Sequence, residues 1–402
     1  MLGCRTNQYE LQAIKTQLEA LGFVEAAVGE SAELCLIHTC AVTEAAESSS
    51  RHAIRSLASH HPGARVVVTG CLASRDPYTL RSIEGVTDVL AGKSCEEIVS
   101  TLFPDEEAGS FSITRFDGHT RAFIKVQDGC NGFCSYCTVP LLRGRSRSRS
   151  IQEITEEAKA VVASGHQEIV LTGVNIGDFE GSLSDLIAAV DTVPGLRRLR
   201  LSSINPNDID ERLIEIITRS ATLCPALHLV AQSGSTQVLQ KMRRQYSREQ
   251  FLDIVRRLRE RIPNFAFSTD MIVGFPGESD QDFEESLSLL EEVRFTKVHI
   301  FPYSERPKTR ASFIPEKVPV ELMKERKRKL SELAEKMASS IRDEYVGRTV
   351  EVLTEKGADQ PEGLTRSGLT VFLPSGSAQP NCLMTVRVTK NSSCGLFGEL
   401  LP

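Results

Sequence analysis

Apolar and polar positions along this chain follow two rhythms. Short apolar runs, of the ~4–8 residues that suit buried strands, are separated by stretches repeating at helical spacing. Early in the chain, Leu34–His38 and Arg65–Thr69 read as strands, and Glu10–Ala20 and Glu44–Ala58 as helices. The pattern predicts a doubly wound α/β domain over residues 1–108. Asp105–Arg115 is polar and Gly-containing and reads as a linker.

A regular alternation follows over 116–343. Strands are expected at Ala122–Val126, Glu168–Thr172, Arg198–Ser202, Leu227–Val230, Phe267–Val273 and Lys297–Phe301. Helices are expected near Ile151–Ala163, Leu183–Val190, Asp208–Arg219, Arg248–Arg261 and Asp280–Glu292. Such repeats imply a parallel sheet with right-handed crossovers. They fall short of the eight of a closed barrel and predict an incomplete (β/α)6 barrel. Val320–Tyr345 reads as one long charged helix, with Lys324-Glu-Arg-Lys-Arg-Lys329 as a solvated face. Residues 344–402 change character: Thr349–Glu355, Leu369–Leu373 and Met384–Thr389 are β-rich runs between Gly, Ser, Pro and Asn. They predict a small β-barrel of a kind that binds RNA. The fold class is therefore α/β with a β-barrel appended.

Composition narrows the function. The chain has 402 residues, 41% hydrophobic and 25% charged, which suits a multidomain globular protein. No apolar run approaches the ~20 residues that span a bilayer, and no secretion-leader pattern is present. The expectation is a cytoplasmic protein with no membrane partner. Eleven cysteines in such a chain point to thiolate metal ligands in a reducing compartment. The net charge of −6 argues against a globally basic nucleic-acid binder. Local phosphate contacts remain open to it, because the excess acid lies before Arg115 and the remainder is balanced.

Cys130-Asn-Gly-Phe-Cys134-Ser-Tyr-Cys137 carries the strongest chemistry. Iron–sulfur cubes are normally held by four cysteines, so three on one loop leave one iron open to a small ligand. A structural zinc site needs a further pair of ligands, and the next cysteine is Cys224. A disulfide framework needs an oxidising compartment. The loop follows the first barrel strand, at the carboxyl end where barrel chemistry sits. In the first domain Cys40 and Cys71 each end an apolar run, and Cys4 precedes the first helix. Parallel strands bring their carboxyl ends to one edge, where ligands bind. Three thiolates there suit a second cluster, and buried core cysteines account for the same spacing.

Several weaker signals accompany these. Thr172-Gly-Val-Asn175 follows the second barrel strand, where glycine allows close approach to a ligand or merely a turn. Asp270-Met-Ile-Val-Gly-Phe-Pro-Gly277 ends the fifth strand and suits either role. Ser202 and Ser203 end the third. Arg143, Arg145, Arg147 and Arg149 alternate, and on one extended face they would capture phosphate or carboxylate; a surface loop is the other reading. Gly92-Lys-Ser94 is not a phosphate loop, since Thr87 stands where glycine is required. The His60-His61 pair has no partner at metal spacing and reads as surface.

The cysteine loop, with Tyr136 before its last cysteine, resembles the signature of the radical S-adenosylmethionine (SAM) superfamily. The resemblance implies catalysis at Cys130, Cys134 and Cys137, with SAM on the open iron. It places Tyr136, Gly173, Asn175, Ser202, Ser203 and Gly274 around SAM. The order of parts is similar, over essentially the whole chain, to the methylthiotransferase family. Leu2-Gly-Cys-Arg-Thr-Asn-Gln-Tyr-Glu10, His38-Thr-Cys-Ala-Val-Thr43 and Thr69-Gly-Cys71 carry that likeness. It implies an auxiliary cluster on Cys4, Cys40 and Cys71, hence two [4Fe-4S] clusters, and a TRAM domain over 344–402.

Asn7-Gln-Tyr-Glu10, Ala41-Val-Thr43 and Gln232–Arg244 resemble the branch acting on N6-threonylcarbamoyladenosine at tRNA position 37. The implied reaction abstracts hydrogen from adenine C2, inserts sulfur and adds a methyl group from a second SAM. Implied partners are the tRNA anticodon arm, a small electron-transfer protein as reductant, and a sulfur donor that the sequence does not identify. The same architecture serves isopentenyladenosine and ribosomal protein S12, and a non-catalytic iron–sulfur RNA-binding module is the rival of another class. Two departures stand out. Only Met1 and Leu2 precede the Gly-Cys motif, and Ser304-Glu-Arg-Pro-Lys-Thr309 lacks the family's usual glycine.

Overall fold

The computed structural model describes the chain except residues 1–2, 28, 107–108, 110, 356–359 and 402. Met1-Leu2, part of the expected linker and the end of the first expected domain therefore lie outside the described residues. Helix α1 (Arg5–Ala20) leads into β1 (Leu34–Thr39), α2 (Glu44–His60), β2 (Arg65–Gly70), the short α3 (Cys71–Arg75) and β3 (Asp88–Val89). The strands form a parallel sheet in the order β1-β2-β3. Val66, Val67 and Val68 are buried on both faces of this sheet, as parallel strands between helices require. Ser94 caps the helix Cys95–Leu102 in a capping box with Glu97, which explains Gly92-Lys-Ser94 without a phosphate.

The central part holds β4 (Arg121–Asp128), β5 (Arg147–Ser148), β6 (Glu168–Gly173), β7 (Arg198–Leu201), β8 (Ala226–His228), β9 (Ala266–Val273) and β10 (Lys297–Pro302). Two sheets, β5-β4-β6-β7 and β8-β9-β10, are joined by parallel bridges from Leu199 to Leu223 and from Ile204 to Leu229. Capping boxes at Ser150–Glu153, Ser247–Gln250 and Ser279–Asp282 start three of the outer helices. No pairing joins β4 to β10 among the described residues, so the barrel is incomplete. Strand alternation then sorts the side chains. Ala122, Ile124 and Val126 share the core with Ile154, Ala158 and Val161 of the helix Ile151–Ala163. The alternate residues Arg121, Phe123 and Lys125 face the lumen, beside Glu168, Val170 and Thr172 at their registered positions.

The antiparallel β5 and the helix Thr236–Lys241 go beyond the expected elements. Each is too short to carry a periodic signal. Helix Val320–Asp343 runs along β10 and onto the last domain. Its basic run is solvated, except that Arg326 is buried and donates to Glu278 Oε2 at 2.6 Å.

Strands β11 (Thr349–Glu355), β12 (Glu362–Thr365), β13 (Thr370–Phe372), β14 (Leu383–Ser392) and β15 (Gly395–Leu400) close into a barrel in the order β11-β12-β13-β15-β14. Glycines obscure β12 and β15 in the sequence. A Cβ on Gly363 would meet Leu353 O at 2.3 Å, so the barrel needs glycine where a strand pattern prefers a side chain. This small barrel is fastened to the amino-terminal ends of the central strands. The fully buried Arg198 donates to Leu364 O at 2.7 Å and to Glu351 O at 2.9 Å. Arg200 donates to Thr365 O and Arg366 O, and Arg366 answers with a bond to Leu223 O.

Candidate active site

The first cysteine triad is built by strand ends. Thr39 and Gly70 are registered partners on β1 and β2, so Cys40 and Cys71 leave the sheet side by side. Gly70 has φ +90°, and a Cβ there would meet Thr39 O at 2.5 Å. Only glycine lets the chain turn there into α3, whose first residue is Cys71. Cys4 is the N-cap of α1, and nearby Asn7 donates to Thr39 O at 3.0 Å, tying α1 to the same edge. Ser50 of α2 donates to Cys40 O and accepts from its N–H. The three thiols are free and act on one another electrostatically through Cys4.

The second triad sits on the loop after β4. Gly129, at φ +71°, turns the chain where a Cβ would meet Arg145 O at 2.0 Å. Ser135 pins the loop three ways: its N–H to Met242 O, its hydroxyl to Lys241 O, and its carbonyl from Ala311 N–H. All three sulfurs accept hydrogen bonds. Cys130 accepts from Gly132 N–H at 3.3 Å, Cys137 from Val139 N–H at 3.4 Å, and Cys134 from Arg244 Nη1 at 3.1 Å. Burial pushes the Cys130 thiol up to about 11, Cys137 to about 12 and Cys71 to about 11. Such thiols are neutral at pH 7 and are poor nucleophiles on their own. A bound metal supplies the positive charge that deprotonates them. Sulfurs that accept bonds in a half-buried, thiol-only donor set fit an iron–sulfur cluster.

Between the triads lies a buried ionic bridge whose partners no spacing rule links. Glu10 of α1 accepts from Lys125 of β4 at 2.9 Å and from both ends of the Arg143 guanidinium at 2.8 and 2.9 Å. His38 Nε2 lies 2.9 Å from its other oxygen. Burial pushes this carboxyl up, but Lys125 and Arg143 outweigh it and hold Glu10 well below the ordinary glutamate range. Arg143 also reaches Asp128 at 2.9 Å and Cys71 Sγ at 3.3 Å.

The alternating arginines thus do not form one capturing face. Arg143 is committed to this bridge, and Arg149 donates to Glu157 at 2.5 Å and Tyr9 at 2.9 Å. Arg145, stacked on Phe133, and Arg147 both stay exposed to solvent. A helix over Val139–Arg143 and the β5 pairing break the extended run that the spacing suggests.

A chain of bonds leads from the second triad to the expected SAM side. Arg244 bonds Asn205, whose Nδ2 donates to Asn175 Oδ1 at 3.0 Å. Asn175 N–H donates to Gln127 Oε1 at 2.9 Å, close beneath Gly173. Ser202 Oγ is buried and has no hydrogen-bond partner among the described residues, an opening that a polar ligand would fill. Tyr136 packs edge-on to Phe275 at 6.4 Å. Gly274, at φ +72°, leaves room for Met323, which a Cβ would strike at 2.1 Å. Packing thus requires glycine at position 274, and Asn175 and Ser202 present polar groups beside the loop. Arg244 and Asn205 are further candidates that spacing could not reveal.

The lumen carries polar residues at alternate strand positions: Arg200, His228, Ser268, Asp270, Lys297 and His299. His228 lies between Ser268 Oγ at 3.1 Å and Asp270 Oδ2 at 3.3 Å. The signal is present in the sequence as single polar residues recurring every second position within apolar strands.

Known proteins resemble this chain in sequence and in fold. The Radical SAM superfamily matches residues 124–290, and the Uncharacterized protein family UPF0004 matches residues 1–92. A "Threonylcarbamoyladenosine tRNA methylthiotransferase MtaB" of Chlamydia pneumoniae is 46% identical, over 100% of this chain and 97% of its own. The protein of that name from Bacillus subtilis (strain 168) is 33% identical over 90% and 85%. A "tRNA-2-methylthio-N(6)-dimethylallyladenosine synthase" of Clostridium novyi (strain NT) is 32% identical over 99% and 95%. In fold, the chain is similar to the radical SAM methyltransferase TsrM from Kitasatospora setae. The TM-score is 0.59 at 17% identity, covering 76% of this chain and 74% of that one.

Proposed function

Because the chain belongs to the radical SAM methylthiotransferase family, we propose that it replaces the C2 hydrogen of N6-threonylcarbamoyladenosine at tRNA position 37 with a methylthio group. The observation that carries this reading is full-length identity of 46% to a relative named for that substrate, against 32–33% to relatives named for the dimethylallyl nucleoside. The enzyme uses SAM and iron–sulfur chemistry, which supply radical hydrogen abstraction from a carbon that acid–base catalysis does not activate.

We assign Cys130, Cys134 and Cys137 to one cluster and Cys4, Cys40 and Cys71 to a second. Tyr136, Gly173, Asn175, Ser202, Ser203 and Gly274 border the SAM side. Ser135 and Arg244 hold the loop and its sulfur acceptors in place. Glu10 and Arg143 hold the two triads in fixed relation across the domain boundary. The division into 1–108, 116–343 and 344–402 separates three roles. The first part handles sulfur, the second carries the radical chemistry, and the TRAM-like barrel receives the anticodon arm. Single-stranded loops with splayed bases are the usual RNA target.

Eleven cysteines, all free, suit a reducing cytoplasm; no helix among the described residues is long and apolar enough to cross a membrane. A small electron-transfer protein is the proposed reductant. Mass spectrometry of tRNA nucleosides from a deletion strain, with and without complementation, tests the reading. Loss of the 2-methylthio nucleoside with accumulation of its precursor is expected. An unchanged profile overturns it.

A further inference from the structure

A cavity of about 690 Å³, within the range that takes a nucleoside-sized ligand, runs from the lumen of the incomplete barrel to the helix Val320–Asp343 and the C-terminal barrel. Barrel interiors that serve only stability are filled with branched apolar side chains; this one is lined by charge. Two acids on its wall are already matched, Glu355 by Arg121 at 2.7 Å and Glu335 by Arg342 at 2.5 Å. Asp270, at its edge, is engaged by His228. Three cations remain. Arg5, Lys297 and Lys327 line the cavity, and none has an ion pair or hydrogen bond among the described residues.

Arg5 is the most informative of these. It follows Cys4 directly, at the start of α1, and its guanidinium lies over the Phe123 ring at 5.8 Å. Phe123 is a lumen-facing residue of β4, so Arg5 points from the first triad into the barrel. Protein surrounds the side chain on most sides, yet it keeps exposed surface, as a group in an open lumen does. It faces the charges of Arg121 and Arg200 as well as those of Asp270 and Glu168. An unpaired guanidinium in such a place suits an incoming carboxylate, which it can bind in a bidentate manner. None of the residues assigned to the SAM side lines this cavity, so the carboxylate of SAM is not its occupant.

We propose that the lumen cavity is the specificity pocket for the N6 substituent of the target nucleoside, with Arg5 receiving its carboxylate and Lys297 on the opposite edge strand reinforcing the positive field. This deepens the substrate reading above and rests on it. The threonylcarbamoyl group ends in a carboxylate, whereas an isopentenyl group is apolar and would cover Arg5 without pairing it. Discrimination through a group left unpaired exceeds what apolar fit alone gives.

The test compares anticodon stem-loop RNAs identical except at this substituent: the free acid and its neutral carboxamide. Both share every phosphate, so a preference reports the carboxylate alone. Reconstituted full-length enzyme is measured for binding by fluorescence anisotropy and for methylthiolation by mass spectrometry. The wild type is expected to favour the acid by about 10- to 100-fold, the worth of a charge-assisted bond. Arg5→Gln should abolish that preference and Lys297→Gln should reduce it, with iron content measured for each. Arg5 adjoins Cys4, so if Arg5→Gln loses iron, Lys297→Gln decides. Unaltered preference in Lys297→Gln, or in an iron-replete Arg5→Gln, overturns the pocket. Equal handling of acid and carboxamide by the wild type overturns the pocket and leaves the methylthiotransferase reading intact. Failure of the wild type to methylthiolate the acid RNA overturns both.

Discussion

Arg143 Nε donates to Cys71 Sγ across 3.3 Å, joining the end of the helix Val139–Arg143 to the first residue of α3. One guanidinium thereby touches a proposed ligand of one cluster while standing six residues beyond the last cysteine of the other. Arg143→Met removes the donor and leaves Glu10 and Asp128 short of a partner. Iron should fall from about eight to about four per chain, since the loop triad is built independently. Iron analysis with electron paramagnetic resonance checks this; retention of the full complement would refute it.

Glu10→Gln probes the same bridge from its acidic side. Removing one partner of a buried ion pair costs about 3 kcal/mol, so urea unfolding of the cluster-free variant at pH 7 should show a loss of that order. The folded-state pKa of Glu10 is depressed, against an unfolded value of about 4.3. Its contribution is therefore complete above that pH and is lost as pH falls through the folded value. The gap between wild type and variant should close on acidification, and a pH-independent gap would contradict the assignment.

Arg244 donates to Cys134 Sγ at 3.1 Å. A cationic donor at a ligand sulfur stabilises the more reduced, more negative cluster. Arg244→Gln should keep the cluster and lower its reduction potential by roughly 60 mV, the one-electron equivalent of a tenfold change. A redox titration followed by electron paramagnetic resonance measures the shift, and no change would show that the bond has no electrostatic weight.

Arg306 gives a structural meaning to the departure at Ser304–Thr309. This buried arginine lies within 2.9 Å of Glu47 on α2, where Arg51 and Arg75 also converge. Glu47→Ala should therefore destabilise more than Arg306→Ala, because it strands Arg75 and Arg306, while Arg51 keeps Asp76 at 2.9 Å, whereas Arg306→Ala leaves one carboxylate that keeps two partners. Thermal unfolding of the two variants orders them, and the reverse order would remove Glu47 from the centre of the cluster.

The parts of the fold legible in the sequence are those with a period. Strands β1, β2, β4, β6 and β9 appear within one or two residues of their apolar runs, because burial on both faces writes itself as continuous hydrophobicity. The cysteine loop is legible because its ligands are local. Glu10, Arg244 and Asn205 are not, since each acts across thirty or more residues of sequence and no spacing rule links them to their partners. The arginine series misleads for the complementary reason: its regular spacing is broken by a five-residue helix and a short antiparallel strand.

The arginines that fasten the C-terminal barrel grip mainly main-chain oxygens: Leu364 O, Thr365 O and Arg366 O on one side, Leu223 O on the other. A carbonyl oxygen survives every substitution at its own residue. The outward side chains of the small barrel are thus free to drift over generations without loosening its seat. The seat of the small barrel and the chemistry of its surface can therefore change independently of each other.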